Sequence, residues 1–360
     1  MATTGKLPMR QLGKNGPLVP RIGLGLMGLS SAHGVPKPDE ERLAFLDKAY
    51  EMGETFWDTG KFKFLCSLSP PPDMYHDSED LLGKWFAANP EKRGHIFLAT
   101  KFGYRRTAAG EHSIDTSAGY CAEALERSLA RLGVAYVDLY YPHRLDKATP
   151  IEKTMAALAA LKRAGKIRHI GLSECSAAAL RRAHAVEPVA CVQLEYSAFS
   201  LDIEVADPRH GALLATAREL GVAVVAYSPL GKGLLGGAIR SVADVSRPGD
   251  LRARFAPRFA EENIAANVAL VDKLTEIAAR KGVTTAQLAL AWLLAQGDDI
   301  FPIPGTRTPE RLAENLAALH VTLTGEEEKA IRQLADKVAG SRLGGILTEY
   351  YFGDSPQLDS

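Results

Sequence analysis

Eight times along this chain a short, almost wholly apolar run is followed, in most cases, by a stretch whose apolar residues recur every three or four positions. The runs are RIGLGL, TFWD, IFLATKF, VDLYY, IRHIGLS, ACVQLE, VAVVAYS and DIFPIPG. Helical spacing appears at 40–52, 78–89, 117–132, 151–164, 177–185, 210–220, 264–295 in two pieces, and 309–318, with Gly133 and Gly165 placed as helix stops. A strand that is apolar on both faces must be covered on both faces, and parallel neighbours need long crossovers, which the helices supply. Eight such units predict an α/β fold, a (β/α)8 TIM barrel; a doubly wound open sheet is the competitor. The opening MRQLGKNGPLVP has an Asn-Gly turn between two short runs and predicts an N-terminal β-hairpin across the barrel bottom. No linker breaks the pattern, so residues 1–360 are expected to form a single domain with long loops on its C-terminal face and a variable tail at 338–360.

Composition narrows the functional classes. Forty-three basic residues balance forty-three acidic ones, which argues against general affinity for nucleic acid or an anionic membrane. No apolar run approaches the ~20 residues of a membrane span, and the N-terminus lacks the apolar core of a secretory signal. Cys66, Cys121, Cys175 and Cys191 are widely spaced and suit free thiols in a reducing compartment, so no metal site is expected. A cytoplasmic enzyme is the expectation, a monomer or weak homo-oligomer.

In such a barrel the chemistry belongs at the carboxyl ends of the strands. Polar residues collect there: Asp58 after the second run, Lys101 in the third, His143 after the fourth, Ser173 and Glu174 after the fifth, Gln193 in the sixth, Tyr227 and Ser228 after the seventh, and Gly305 and Thr306 after the eighth. GLGLMG (Gly23, Gly25, Gly28) is a literal GxGxxG, but LSSAHGVPKPDEE follows, with a helix expected only from about Glu40. A dinucleotide fold would need a helix at once, so these glycines are expected to let the backbone pass close to a ligand, or to fit the barrel mouth.

Asp58, Tyr75, Lys101 and His143 each have a plain structural use: a helix cap, a loop aromatic, a snorkelling lysine, a satisfied histidine. Together they suit acid chemistry. A tyrosine titrates near 10, and a nearby ammonium lowers it by ~1–3 units. A carboxylate would keep that lysine charged and in place, while a neutral histidine could donate to a carbonyl oxygen.

FWDT, DSEDLLGKW, ATKFG, DLYYPHRLD, AGKIRHIGLSE, VQLEYS, AYSPLGKGLL and IPGTRTPERLAENL stand in one order along nearly the whole chain. On these blocks the chain resembles the aldo-keto reductase family, in its monomeric bacterial and fungal branch. The resemblance implies a barrel that binds NADPH/NADP+ and reduces a small-molecule aldehyde or ketone, with Tyr75 as proton donor and Asp58, Lys101 and His143 as its partners, His143 also meeting the substrate. It further implies that Gly25 and Asp58 border the cofactor and that Ser173, Glu174 and Gln193 surround the nicotinamide. Tyr227 would stack on the ring, and Ser228, Pro229, Leu230, Gly231 and Lys232 would run past the pyrophosphate. Gly305, Thr306, Arg307, Arg311, Glu314 and Asn315 would hold the adenosine end. Arg307 and Arg311 stand four apart at an expected helix start and could share a face, which suits a 2′-phosphate and favours NADPH over NADH.

The family's tyrosine typically follows the aspartate by five positions; here Tyr75 lies seventeen after Asp58, and His76 stands where glycine is usual. Twelve residues, 61–72 (KFKFLCSLSPPP), account for the difference. Extending a loop from ~5 to ~17 residues costs only about 1 kcal/mol of closure entropy. A tolerated loop or lid, an unspliced segment carried into the coding sequence, and a real disruption of catalysis all fit this stretch. Two other functions stand beside carbonyl reduction: an NADP(H)-binding regulatory or catalytically impaired relative, and a phosphate-binding aldolase or isomerase barrel with Lys101 as a Schiff-base lysine.

Overall fold

A computed structural model describes residues 7–60, 76–106, 112–342 and 344–358. Residues 61–72 and Tyr75 therefore lie outside the described residues, as does Cys66.

Eight parallel strands pair in sequence order: β1 (Leu24–Gly25), β2 (Phe56–Asp58), β3 (Phe97–Phe102), β4 (Val137–Pro142), β5 (Ile167–Ser173), β6 (Cys191–Glu195), β7 (Ala223–Tyr227) and β8 (Ile300–Pro302). The sheet curls until its edges meet: the Gly23 N–H donates to the Pro302 carbonyl at 2.9 Å, and Gly25 bridges Gly305 in parallel. This is the (β/α)8 barrel that the eightfold alternation predicts.

The strands read as continuous apolar runs because both faces are buried. Phe56, Ala99, Leu139, Tyr141, Cys191, Val225 and Phe301 fill the barrel interior. Their neighbours Trp57, Leu98, Tyr140, Val192 and Val224 face the helices. Leu12 and Val19 join the interior cluster from an antiparallel hairpin, Met9–Gln11 with Leu18–Pro20. Lys14 N–H donates to the Gly221 carbonyl, so the hairpin is fastened to the loop before β7 at the barrel bottom.

The outer layer is α1 (Asp39–Glu51), α2 (Ser78–Ala88), α3 (Ala118–Leu132), α4 (Ile151–Arg163), α5 (Ala177–Val186), α6 (Leu213–Leu220), α7 (Glu261–Lys281), α8 (Thr285–Ala295), α9 (Pro309–Ala317) and α10 (Gly325–Ala335). Gly133 (φ +64°) and Gly165 (φ +74°) take the left-handed conformation that ends α3 and α4.

Several elements depart from the sequence expectation. A single helical turn, Met27–Ser30, begins within the GxGxxG stretch; one turn is far shorter than the crossover helix of a dinucleotide fold. Beyond β3, Tyr104–Arg106 pairs antiparallel with His112–Ile114, two strands that the sequence hid because YRR and HSI carry no apolar alternation. Helix α10 has only Ile331 and Leu334 in the core, too few for a periodic signal, although Thr324 and Glu327 form a capping box.

The tail is tied across the barrel mouth. Arg342 grips the Glu174 carboxylate with two bonds of 3.0 Å, Gly353 N–H donates to the Glu174 carbonyl, and Arg182 holds the Ser355 carbonyl. On the opposite rim the two flanks of 61–75 meet: the hydroxyls of Thr59 and Ser78 lie 2.7 Å apart, and Arg42 clasps Asp77 at 2.9 and 2.8 Å.

Candidate active site

Register sets the first layer of the mouth. Gly25 pairs with Asp58, Asp58 with Ala99, and Ser173 with Gln193, so the strand-end residues stand side by side. Asp58 is the hub. One carboxylate oxygen accepts from Lys101 Nζ and the other from Gln193 Nε2 at 2.8 Å. Lys101 also donates to the Thr59 carbonyl at 2.8 Å. Both charged groups are buried, and burial pushes the Asp58 carboxyl above its ordinary value despite the opposing pull of Lys101. The ammonium stands 5.5 Å from the centroid of the Tyr141 ring, a further favourable contact for a cation.

His143 follows β4, its N–H donating to the Phe102 carbonyl at 2.7 Å, and its ring meets Tyr104 edge-on at 5.1 Å. Burial first, then the charges of Arg144 and Lys101, hold its pKa well below the ordinary histidine value. The imidazole is neutral at physiological pH and keeps one N–H to donate.

Asp58, Tyr104, His143, Arg144, Ser173, Gln193 and Tyr227 border a cavity of about 780 Å³. It continues past Ser228, Pro229, Leu230 and Lys232 to Gly305, Thr306, Arg307, Arg311, Glu314 and Asn315, with Gly25 on its wall. Two expected cofactor residues are not on that wall. Glu174 is wholly buried behind it, where it accepts from the Tyr227 hydroxyl at 2.9 Å and pairs with Arg342. Gly231 starts the turn Gly231–Gly236 with its backbone left-handed. Lys101 also stays off the wall and reaches the site through Asp58. Lys232 lines the cavity, yet its ammonium is committed to Glu195 at 2.7 Å. Glu174 (φ +48°), Ser228 (φ +49°) and Lys232 (φ +57°) are non-glycine residues in left-handed conformation at the ends of β5 and β7. Such strain costs roughly 1–3 kcal/mol each and gathers at functional mouths.

The far end of the cavity suits phosphate. Arg307 and Arg311 both line it, but not as one helix face: α9 begins at Pro309, so Arg307 precedes the Thr308 cap and only Arg311 lies in the first turn. An arginine there adds to the positive end of the helix dipole instead of offsetting it. Arg307's pKa is lowered, by burial first and then by the charges of Arg252 and Arg311. Cations crowded against one another around a cavity fit a polyanion. Gly25 gives the backbone its close approach: a Cβ there would stand 2.8 Å from the Ile303 carbonyl oxygen. These residues fit a phosphorylated dinucleotide.

Sequence reading missed several cavity residues, the polar His33, Arg144 and Arg252 among them. His33 and Arg252 come from two loops that pair across the mouth, with His33 bridging Asp250 and Leu251 N–H donating to the Ala32 carbonyl. Arg252 is held by Asp250 at 2.6 and 3.0 Å. Burial and the nearby Arg252 lower the His33 pKa to about 4. Nothing local in the charged stretch 238–263 singles out Arg252. Arg144 had a signal, its position directly after the candidate histidine, and went unused.

Comparison with known proteins follows the same outline. Residues 21–336 match the model of the Aldo/keto reductase family. The chain is 45% identical over 357 residues to the aldo-keto reductase yakc [NADP(+)] of Schizosaccharomyces pombe, covering 98% of this chain and 99% of that protein. It is also 45% identical over 362 residues to the aldo-keto reductase str7 of Strobilurus tenacellus, covering 98% and 99%. Among solved structures, glycerol dehydrogenase AKR11B4 from Gluconobacter oxydans superposes with a TM-score of 0.76 at 26% identity, over 92% of this chain and 96% of that one. A thermostable aldo-keto reductase, Tm1743, solved with the inhibitor epalrestat, superposes with a TM-score of 0.65 at 29% identity, over 91% and 100%.

Proposed function

This chain belongs to the aldo/keto reductase family, an NADP-dependent oxidoreductase by that membership, and from there we propose that it reduces the carbonyl of an aldehyde or ketone to an alcohol. NADPH, when bound, supplies the hydride. The protein's part is to deliver a proton to the carbonyl oxygen and to stabilise charge on that oxygen as it develops. His143, neutral because it is buried beside two cations, donates a hydrogen bond to the oxygen without giving up its own proton. Tyr75 is the proton donor in this reading, assigned from its place before HDSEDLLG in the sequence. Lys101, kept charged and stationary by Asp58 and the Thr59 carbonyl, favours the phenolate and so makes the phenol a stronger acid. Arg307, Arg311 and Arg252 hold the phosphates, the first two favouring NADPH over NADH.

The observation that carries this reading is the juxtaposition at one mouth: Asp58 and His143 on the wall of a single cavity, Lys101 bonded to Asp58, and clustered arginines at its far end. The test is NADPH consumption across aldehydes and ketones, with Tyr75→Phe run in parallel and NADPH affinity measured by fluorescence. Loss of a general acid lowers turnover by roughly a hundredfold to ten-thousandfold, with cofactor affinity retained. Full turnover in Tyr75→Phe would remove Tyr75 from this role.

A further inference from the structure

Among the described residues, the guanidinium of Arg144 is a charged group on the cavity wall that neither the acid–base set nor the phosphate end uses. Its side chain is buried to within 9% of full enclosure and still lines the cavity, beside His143, Ser173, Tyr104 and Tyr351. Nη1 donates to the His143 carbonyl at 2.6 Å and reaches the Ser173 hydroxyl at 3.4 Å. Nε and Nη2 have no hydrogen-bond partner among the described residues, and neither is sealed off from the cavity. The Tyr351 ring lies 5.2 Å from the guanidinium carbon and limits its movement.

Buried charges are normally paired. The nearest buried carboxylate, Glu174, is saturated: it accepts from both Arg342 terminal nitrogens, the Tyr227 hydroxyl and the Glu195 N–H. Glu195, the other buried acid here, is taken by Lys232 at 2.7 Å. Among the described residues the acids that face Arg144, Lys232, Arg258 and Arg342 are Glu174, Glu195 and, beside Arg258, Asp202, and none of them is within 4.0 Å of Arg144. An arginine does not deprotonate to relieve such an excess. Glu174 favours the Arg144 charge only from beyond 4.0 Å, so a carboxylate in direct contact has to come from whatever fills the cavity, and the cofactor's phosphates have their own cations at the other end, where Arg252, Arg307 and Arg311 cluster.

The geometry points to Arg144 as a specificity residue that binds the carboxylate of the carbonyl substrate, through its free Nε and Nη2 edge. The preferred substrates are then carbonyl acids, with the carboxylate a few bonds from the reacting carbon. This rests on the carbonyl-reductase reading for the identity of the second group, although the anion site itself is tested without turnover. A planar fork matches a carboxylate with two parallel hydrogen bonds, which a lysine cannot do. Tyr104 and Tyr351 on either side offer apolar rings to the connecting carbons.

The test uses a matched pair, 4-(hydroxymethyl)benzoate and its methyl ester, titrated calorimetrically into the NADP+-saturated protein. The expected result is a Kd about tenfold to a hundredfold lower for the acid, the range of a charge-assisted hydrogen bond. Arg144→Gln should bring the ratio towards one, and Arg144→Lys should leave an intermediate value. A ratio near one in the unaltered protein overturns the proposal, and so does a ratio that survives Arg144→Gln. So does a loss of NADP+ affinity in Arg144→Gln that accompanies an unchanged ratio, since Arg144 would then serve the cofactor. The unaltered protein decides the matter even if the variants do not fold. Kinetics on 4-formylbenzoate and its ester separate the two readings: no consumption of either aldehyde would refute carbonyl reduction, while the titration still reports on the anion site.

Discussion

Asp58 and Lys101 form a buried ion pair whose energetics can be worked out before any assay. Both side chains are essentially inaccessible, at 2% and 0%. Two unit charges about 3 Å apart attract by roughly 5 kcal/mol at an effective dielectric of about 20. Burial still outweighs that attraction for the carboxylate, because the Asp58 pKa is raised rather than lowered. A buried pair of this kind is a weak source of stability, whereas each half is severely costly alone. Asp58→Asn leaves the Lys101 ammonium without a counter-charge. It also leaves one acceptor oxygen where Lys101 and Gln193 now use two. The expected loss is about 3–5 kcal/mol. With an unfolding entropy of about 2.1 cal/mol/K per residue over the 360 residues, that is a fall in Tm of roughly 4–7 °C. Lys101→Met strands the carboxylate and should cost a similar amount. The double variant Asp58→Asn/Lys101→Met removes both charges and should return to within about 1 kcal/mol of the starting protein, or exceed it. The double-mutant cycle is read by urea denaturation, with carbonyl reduction measured alongside; all three variants should lose that activity whatever their stability. Additive stability losses would refute the reasoning, since they would mean that Coulombic coupling is not what joins the two groups.

Four further outcomes are expected. Arg307→Ala should weaken NADPH binding by about tenfold to a hundredfold with a smaller effect on NADH, and Arg252→Ala should weaken both by similar factors, as read by fluorescence titration. Gly25→Ala places a Cβ 2.8 Å from the Ile303 carbonyl oxygen at the barrel seam and should cost about 1–3 kcal/mol in thermal unfolding. Gly119→Ala, early in α3 with nothing within 4 Å of the new atom, should instead raise stability by about 0.4–1 kcal/mol. For Asp77, burial raises the carboxyl pKa, but the hydrogen bonds from Arg42 and Ser30 and the charge of Arg42 outweigh it and lower the value to about 2. A depressed carboxylate stabilises the fold above its ordinary value of 3.8 and loses that contribution as pH falls through about 2. About 2 kcal/mol should disappear across that window, and Asp77→Asn should flatten this limb in denaturation measured at several acid pH values.

The barrel was legible in the sequence because its strands are apolar on both faces and its helices on one, so periodicity separates them without knowledge of contacts. The strand-end positions of Asp58, Lys101, His143, Ser173 and Gln193 were legible for the same reason, since a barrel presents the ends of all its strands at one mouth. Arg307 and Arg311 were expected on a shared helix face. They reach the same cavity from either side of the Thr308 cap instead, because the helix starts two residues after Arg307. Glu174 was expected beside the cofactor and is turned into the protein, where Arg342, from the tail, grips its carboxylate at both oxygens.

Order along the chain and the period of burial therefore belonged to the sequence itself: they arise from local propensity and from whether a residue meets water. Which charges pair was decided by the tertiary structure. Lys101 with Asp58, Arg342 with Glu174, and an Arg144 with no carboxylate within 4.0 Å among the described residues depend on strands, loops and a tail that come to the mouth from distant parts of the chain. An electrostatic partner is chosen by distance and burial after folding, and the spacing of residues along the chain carries no record of that choice.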